Sequence, residues 1–122
     1  MAIGVRVVQM RKYIRVMKAV SDPSRVRILK LLHTREFCVC ELQELLGLAQ
    51  SSVSKHLRLL ENAGLIIGRR EGAWVIYAIS STPETEYAAT MLANIENWLN
   101  DDEEFVDMKK RSVFINRMQI SY

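Results

Sequence analysis

The chain of 122 residues has few of the residues that interrupt helices, form cross-links or bind metals: two prolines, two cysteines and two histidines. No stretch approaches the roughly 18 consecutive apolar residues of a membrane helix, and the apolar start, residues 1–8, is far too short. Cys38 and Cys40 lie one residue apart, which makes a poor structural disulfide, and the start does not resemble a secretory signal. We therefore expect a reduced, cytoplasmic protein with no membrane partner.

The sequence also lacks the patterns on which most enzyme classes depend. It shows no Ser–His–Asp arrangement, no phosphate-binding loop and no pair of catalytic carboxylates. The spacing of the cysteines is C-x-C, whereas thiol oxidoreductases use C-x-x-C beside a βαβ pattern. We therefore do not expect an enzyme.

The charge is mild in total and uneven in distribution. The formal net charge is +3, but residues 55–70 carry four cations against Glu61 alone, while residues 101–107 carry five acids. The basic segment is therefore suited to bind phosphate groups, and the acidic segment is not.

Apolar residues at helical spacing predict four helices in the first half of the chain. Asp22 and Pro23 form a cap and a first turn for the second helix, and Gly47 and Gly64 end the third and fourth. The three-residue turn 47–49 between two short helices is typical of a helix-turn-helix. The predicted helices span residues 8–20, 23–33, 38–46 and 50–63.

After Gly64 the pattern changes to that of strands. Residues 65–67 and 74–79 are rich in β-branched and aromatic side chains, and Glu71-Gly72 between them indicates a hairpin turn. Pro83 then opens a helix over 83–100, which is followed by a C-terminal extension, 101–122. Residues 101–111 could continue as an amphipathic helix, with acids first and bases last as the helix dipole favours, and residues 112–122 could be helix, strand or tail. The fold class is mainly α with a small β-hairpin, and residues 1–122 form a single winged helix-turn-helix domain.

The fourth helix has two distinct faces. Val53, Leu57 and Leu60 fall in one narrow sector and are predicted to face the core. The opposite face carries hydroxyls and cations, which suit a DNA major groove, and its first turn is the part that a recognition helix presents to bases. The predicted DNA-binding residues are Gln50, Ser51, Ser52, Ser54, Lys55 and Arg58 on this helix and Arg69 and Arg70 on the hairpin tip.

Each of these assignments has a plainer alternative. The polar helix face could be solvated only, and the arginine-rich tip could merely favour solubility. His56, at the edge of the core sector, could touch a phosphate or be a packed, hydrogen-bonded side chain. A protein-interaction module without a DNA role is a further alternative.

Two segments resemble motifs of the ArsR/SmtB repressors. Residues 22–29, DPSRVRIL, resemble the family's DPTRLRIL segment, and residues 50–57, QSSVSKHL, resemble its QSxVSxHL recognition helix. Residues 64–77 look like its wing, so the match runs over about residues 10–80, within a core module of 8–80. The resemblance implies a homodimer paired through its first and last helices, here 83–100, that binds double-stranded operator DNA and represses transcription until an effector binds.

The cysteine segment, FCVCEL at residues 37–42, resembles the LCVCDL motif of the arsenic-responsive members. In those members the two thiolates, often with a nearby third cysteine, bind trivalent arsenic or antimony. Here Gln43 stands two positions beyond Glu41 and no third cysteine exists. The family's zinc site on the last helix is also absent, because no histidine follows His56.

The resemblance implies no permanent cofactor. It implies arsenite or antimonite as effector at Cys38 and Cys40, with an external thiol or water completing the site. The alternative on the same fold is a sensor of cadmium, lead or zinc, or of thiol oxidation.

A helical wheel gives an expectation for the two sulfurs. If 38–46 is one ideal helix, Cys38 lies beside Leu42 and Leu45, and Cys40 lies about 200° away. One ion then cannot reach both thiolates unless the first turn unwinds. Because the third helix supports the fourth, that distortion would tilt the recognition helix away from DNA.

Overall fold

The computed structural model describes residues 3–117 and, within them, shows six helices around a three-stranded antiparallel sheet of order β1-β3-β2. This confirms the predicted fold class. None of the helices in this range has the length and apolar character needed to cross a membrane. The elements are α1 (Ile3–Ala19), α2 (Pro23–Thr34), β1 (Phe37–Cys38), α3 (Val39–Leu46), α4 (Gln50–Asn62), β2 (Ile66–Glu71), β3 (Trp74–Ile79), α5 (Glu86–Asn97) and α6 (Glu103–Ser112).

Helix α2 is the centre of the core. It begins as the sequence predicts: Pro23 occupies the first turn, and the Asp22 carboxylate accepts a hydrogen bond of 3.1 Å from the backbone N–H of Arg25. Such a cap stabilises a helix by about 1 kcal/mol. Residues 28–32 of α2 are all buried, because α4, α5, α6 and β3 pack around it.

The turn between α3 and α4 depends on Gly47. Its φ of +67° is left-handed, and its N–H donates to the carbonyl of Gln43 at 2.9 Å. A side chain strains this conformation, so glycine ends α3 here and lets α4 begin three residues later. The predicted helix-turn-helix is therefore present.

The predicted hairpin is also present, with one addition. Glu71 pairs with Trp74, so the turn is Gly72-Ala73, and Gly72 has the positive φ of +62° that its first position requires. The short strand β1 adds to the other edge of β3, pairing Phe37 with Tyr77 and Cys38 with Ile76. The predicted helix 38–46 includes Cys38, and that part of the prediction is wrong, because α3 begins at Val39.

The C-terminal part of the described chain differs from the prediction in two ways. Thr85 caps α5 by accepting from the N–H of Ala88 at 3.1 Å, so Pro83 lies before the helix and does not open it. Residues beyond Asn97 turn away and start a separate helix, α6, capped by Asp102. Acidic residues begin α6 and basic residues end it, as its dipole favours.

Helix α6 packs on its own chain. Phe105 and Met108 are buried in the common core, and Asp102 accepts two hydrogen bonds from Arg27 of α2, at 2.8 and 3.1 Å. The described part of the extension, up to residue 117, is therefore continuous with the domain. The remainder of the predicted extension, 118–122, lies outside the described residues.

We predict that Phe105→Ala lowers the free energy of unfolding by about 3 kcal/mol in urea denaturation, because it leaves a cavity beneath α6. The matched control is Phe114→Ala, whose side chain is 85% exposed and whose loss should cost less than about 0.5 kcal/mol. Equal effects of the two substitutions would show that α6 is not docked.

Candidate DNA-binding surface and cysteine site

The two faces of α4 lie as the sequence predicts. Val53, Leu57 and Leu60 have no exposed surface. The opposite row is exposed, and Ser54 on its flank is half-buried. The row contains Ser51, Lys55, Arg58 and Asn62. Cations and hydroxyls are therefore presented together on a helix whose other side is fixed in the core.

His56 joins α4 to the start of α2. Its Nδ1 lies 3.1 Å from Nη1 of Arg25 and 4.0 Å from a carboxylate oxygen of Asp22. Burial, the largest cause, lowers the pKa of His56. A neutral imidazole can accept the Arg25 hydrogen bond through Nδ1. Of the two alternatives, the structure shows the packed, hydrogen-bonded histidine.

The two arginines at the tip of the wing, which is the β2–β3 hairpin, have different surroundings. Arg70 is exposed and forms no ion pair with the described residues. Arg69 donates from Nη2 to Glu36 and to Glu71 at 3.0 Å each, and from Nη1 to the second oxygen of Glu36. This hydrogen bond lowers the pKa of Glu36. Glu36 and Glu71 therefore compensate the charge of Arg69, and a phosphate would have to compete with them for it.

Glu36 is a residue whose role the sequence patterns do not predict. It lies 33 residues before Arg69, and no local pattern connects the two. Only the pairing of β1 with β3 brings the start of β1 beside the wing. This ion pair links the cysteine segment to a predicted DNA-binding residue.

The two cysteines lie together. Cys38 is the N-cap of α3, with extended backbone at φ −86° and ψ 168°, and the structure joins it to Cys40 as a disulfide with the Cα atoms 5.5 Å apart. Two expectations are therefore wrong: that the pair is unsuited to a disulfide, and that the sulfurs lie about 200° apart. The physical reason is that an N-cap residue is not helical, so a helical wheel does not apply to Cys38.

The cysteine pair is buried beneath the wing. Cys38 and Cys40 are 1% and 2% exposed and form a small cluster with Ile76, against which Trp74 packs. Within residues 3–117, no three side chains of His, Cys, Asp or Glu are grouped so that they could hold a metal ion. An ion at this site would therefore have two protein sulfurs within this range and would need a ligand from outside it.

Glu41 fixes the turn that carries the cysteines. Its buried carboxylate accepts a hydrogen bond of 2.9 Å from the backbone N–H of Cys38, the arrangement of a capping box. Arg35 and Arg117 each lie 3.4 Å from the same carboxylate. A glutamate three residues after an N-cap is the signal that could have identified this box, but cysteine is not a usual N-cap residue.

Arg35 connects Glu41 to the end of the described chain. Its guanidinium stacks on the ring of Phe37, 3.8 Å from the centroid, and donates to the carbonyls of Ser112 and Ile115 at 3.2 Å each. The cysteine turn is thus packed between the wing on one side and the segment after α6 on the other.

The sequence is similar to those of known bacterial regulatory proteins. The family described as "Bacterial regulatory protein, arsR family" matches residues 22–67. The arsenic resistance transcriptional regulator ArsR1 of Pseudomonas putida KT2440 is 37% identical over 93 residues, which cover 71% of each chain. A cadmium resistance regulatory protein, the CadC homolog of Staphylococcus aureus, is 39% identical over 66 residues, covering 53% of this chain and 54% of that one.

The fold is also similar to that of a solved structure. The homodimeric winged helix-turn-helix DNA-binding domain of a possible ArsR-family transcriptional regulator from Mycobacterium bovis superposes with a TM-score of 0.64. It is 28% identical, and the match covers 75% of this chain and 81% of that one. These relatives are regulators of transcription, not enzymes. The chain belongs to the arsR family of bacterial regulatory proteins.

Proposed function

We propose that this transcriptional regulator is a repressor that binds operator DNA as a homodimer and releases it when trivalent arsenic or antimony binds Cys38 and Cys40. The observation that carries the effector part is the adjacency of the two sulfurs beneath the wing. The arsenic-related name of the P. putida relative supports the choice of metalloid.

The DNA contact would come from α4 and the wing. Gln50, Ser51 and Ser52 form the exposed first turn of α4, where side chains reach base edges in a major groove. Ser54, Lys55 and Arg58 would follow with base or phosphate contacts. Arg70, and Arg69 once it leaves Glu36, would add phosphate contacts from the wing.

The homodimer would pair α1 and α5 with their counterparts. Several large apolar side chains of α1 are exposed in the single chain, among them Met10 at 61%, Tyr13 and Ile14. Tyr13 also makes an edge-to-face ring contact with Tyr87 of α5, with 5.5 Å between the centroids, so the two helices form one surface. A second copy would remove this apolar area from water. The homodimeric state of the M. bovis domain supports a homodimer here.

Effector binding would require the reduced pair. A small cellular thiol would first reduce the disulfide, two thiols giving up two hydrogens to form their own disulfide. Arsenite, As(OH)₃, would then exchange two hydroxides for the two cysteine sulfurs and release two waters. An external thiol could replace the third hydroxide, with release of a third water.

The coupling to DNA would pass through the wing. Cys38 already lies outside α3, so unwinding the first turn of that helix is not needed. An ion held between the sulfurs would push apart two side chains packed under Ile76 and would strain the pairing of β1 with β3. The wing and Glu36 would shift with β1. The effector would thus favour a conformation of the protein that binds DNA less tightly.

The disulfide itself favours a second candidate, a repressor of the same fold that responds to thiol oxidation. The S. aureus relative keeps cadmium open as an effector. Both alternatives use Cys38 and Cys40. They differ in whether oxidation of the two thiols or binding of a divalent metal ion releases the DNA.

The function is tested by fluorescence anisotropy on a duplex from the region upstream of the gene. Reduced protein is titrated with arsenite, antimonite, cadmium and zinc, and oxidised protein is measured without metal. We expect DNA binding that weakens at least tenfold with arsenite or antimonite. Release by oxidation alone would favour the redox candidate, and release by cadmium or zinc alone would favour a divalent-metal sensor.

The double variant Cys38→Ser, Cys40→Ser should bind the same duplex with wild-type affinity and should not respond to arsenite, because serine hydroxyls are poor ligands for a thiophilic ion. Gln43→Ala serves as the control on the same helix and should respond normally. Full release of the double variant by arsenite would contradict the assignment of the site.

Glu36→Gln should raise affinity for DNA, because it frees Arg69 and removes a negative charge beside the wing. Ion pairs this exposed are weak, so we expect an increase of up to about fivefold, larger at low salt. Glu103→Gln, at an exposed position of α6, is the matched loss of one negative charge and should have a smaller effect. The same or a lower affinity for Glu36→Gln would show that Arg69 does not contact DNA.

A further inference from the structure

A basic cleft lies where the end of α1, the start of α2 and the second half of α4 meet. It has a volume of about 460 Å³ and its lining includes Arg15, Lys18, Ala19, Arg25, Leu59 and Asn62. Three of these side chains are cationic, and no aspartate or glutamate lines the cleft. Neither the sequence motifs nor the site described above assigns it a role.

Arg25 is held in place at the wall of the basic cleft. It donates to the carbonyls of Ala19 and Lys18 at 2.8 and 3.2 Å, and it bonds His56 at 3.1 Å. These contacts use three of its five N–H groups, and its guanidinium forms no ion pair with a carboxylate of the described residues. The guanidinium therefore has two donors left for a further ligand.

Arg15 and Lys18 supply charge that is not balanced nearby. Both are exposed on α1, and neither side chain forms an ion pair or hydrogen bond with residues 3–117. Lys12 on the same helix, in contrast, pairs with Glu84 at 3.6 Å. The cluster of three cations would therefore gain from an anion that bridges them.

The basic cleft continues the polar row of α4. Ser51, Lys55, Arg58 and Asn62 follow one another along the exposed face, and Asn62 lines the cleft. The eleven residue-to-residue steps from Ser51 to Asn62 span about 16 Å of helix, whereas a major groove is about 12 Å wide. A helix whose first turn reaches the bases therefore extends, at its other end, to the phosphates that border the groove.

We propose that the basic cleft is a second DNA contact, which holds a phosphodiester of the backbone beside the groove that α4 enters. Arg25 provides donors that are held in place, and Arg15 and Lys18 contact the phosphate from α1. Leu59, 39% exposed, offers an apolar surface to the adjoining sugar. The proposal rests on the DNA binding proposed above, and it predicts a contact that does not depend on base sequence.

The test is the salt dependence of binding to a 40-base-pair duplex of arbitrary sequence, measured by anisotropy from about 50 to 200 mM KCl. The variants are Arg15→Gln, Lys18→Gln and the pair together, with Lys110→Gln on α6 as a matched loss of one positive charge. Each lost phosphate contact should reduce the slope of log K against log salt by about 1 per subunit. Lys110→Gln should leave the slope unchanged.

The outcomes separate this proposal from the proposed function. A wild-type protein that binds no duplex overturns DNA binding itself. If the wild type binds and Arg58→Gln reduces the slope, but Arg15→Gln and Lys18→Gln match Lys110→Gln, the basic cleft alone is refuted. Unchanged slopes with a lowered melting temperature would show that these cations only complement the end of α1, which also refutes it. A loss of affinity by the same factor on an operator duplex and on the arbitrary duplex supports it.

Discussion

The geometry of the cysteine site depends on one buried carboxylate. Glu41 accepts the backbone N–H of Cys38, and Arg35 and Arg117 compensate its charge. A buried carboxylate without such partners would cost several kcal/mol, so the three groups stabilise one arrangement as a unit. That arrangement keeps Cys38 extended, and an extended Cys38 places its sulfur against Cys40 and its backbone against β3.

The same constraint connects the parts of the molecule that the proposed mechanism needs. Because Cys38 pairs with Ile76, the cysteine turn and the wing belong to one sheet. Because Glu36 precedes this strand and binds Arg69, a movement of β1 in the proposed mechanism would also change which cations are free to contact DNA. A buried two-sulfur site can then act on DNA binding through contacts of neighbouring residues, without a change in the whole core.

The sequence predicted those features that arise from local patterns. The spacing of Val53, Leu57 and Leu60 was sufficient to orient α4, and Asp22-Pro23 and Gly47 were sufficient to place the ends of helices, because these effects act within one turn. It could not predict β1, since a strand of two residues has no period of its own and is stabilised by β3, which comes much later in the chain. The conformation of Cys38 and the Glu36–Arg69 pair followed from that strand and were missed with it.

The central claim is that an effector at Cys38 and Cys40 acts by moving β1 and the wing. Amide hydrogen exchange of the reduced protein, with and without arsenite, tests it most directly. The account predicts faster exchange at the β1–β3 pairing, residues 37–38 and 76–77, with unchanged exchange in α3 after its first turn and in α6. Unchanged protection of the β1–β3 amides on binding of arsenite, or an opening confined to α3, would contradict it.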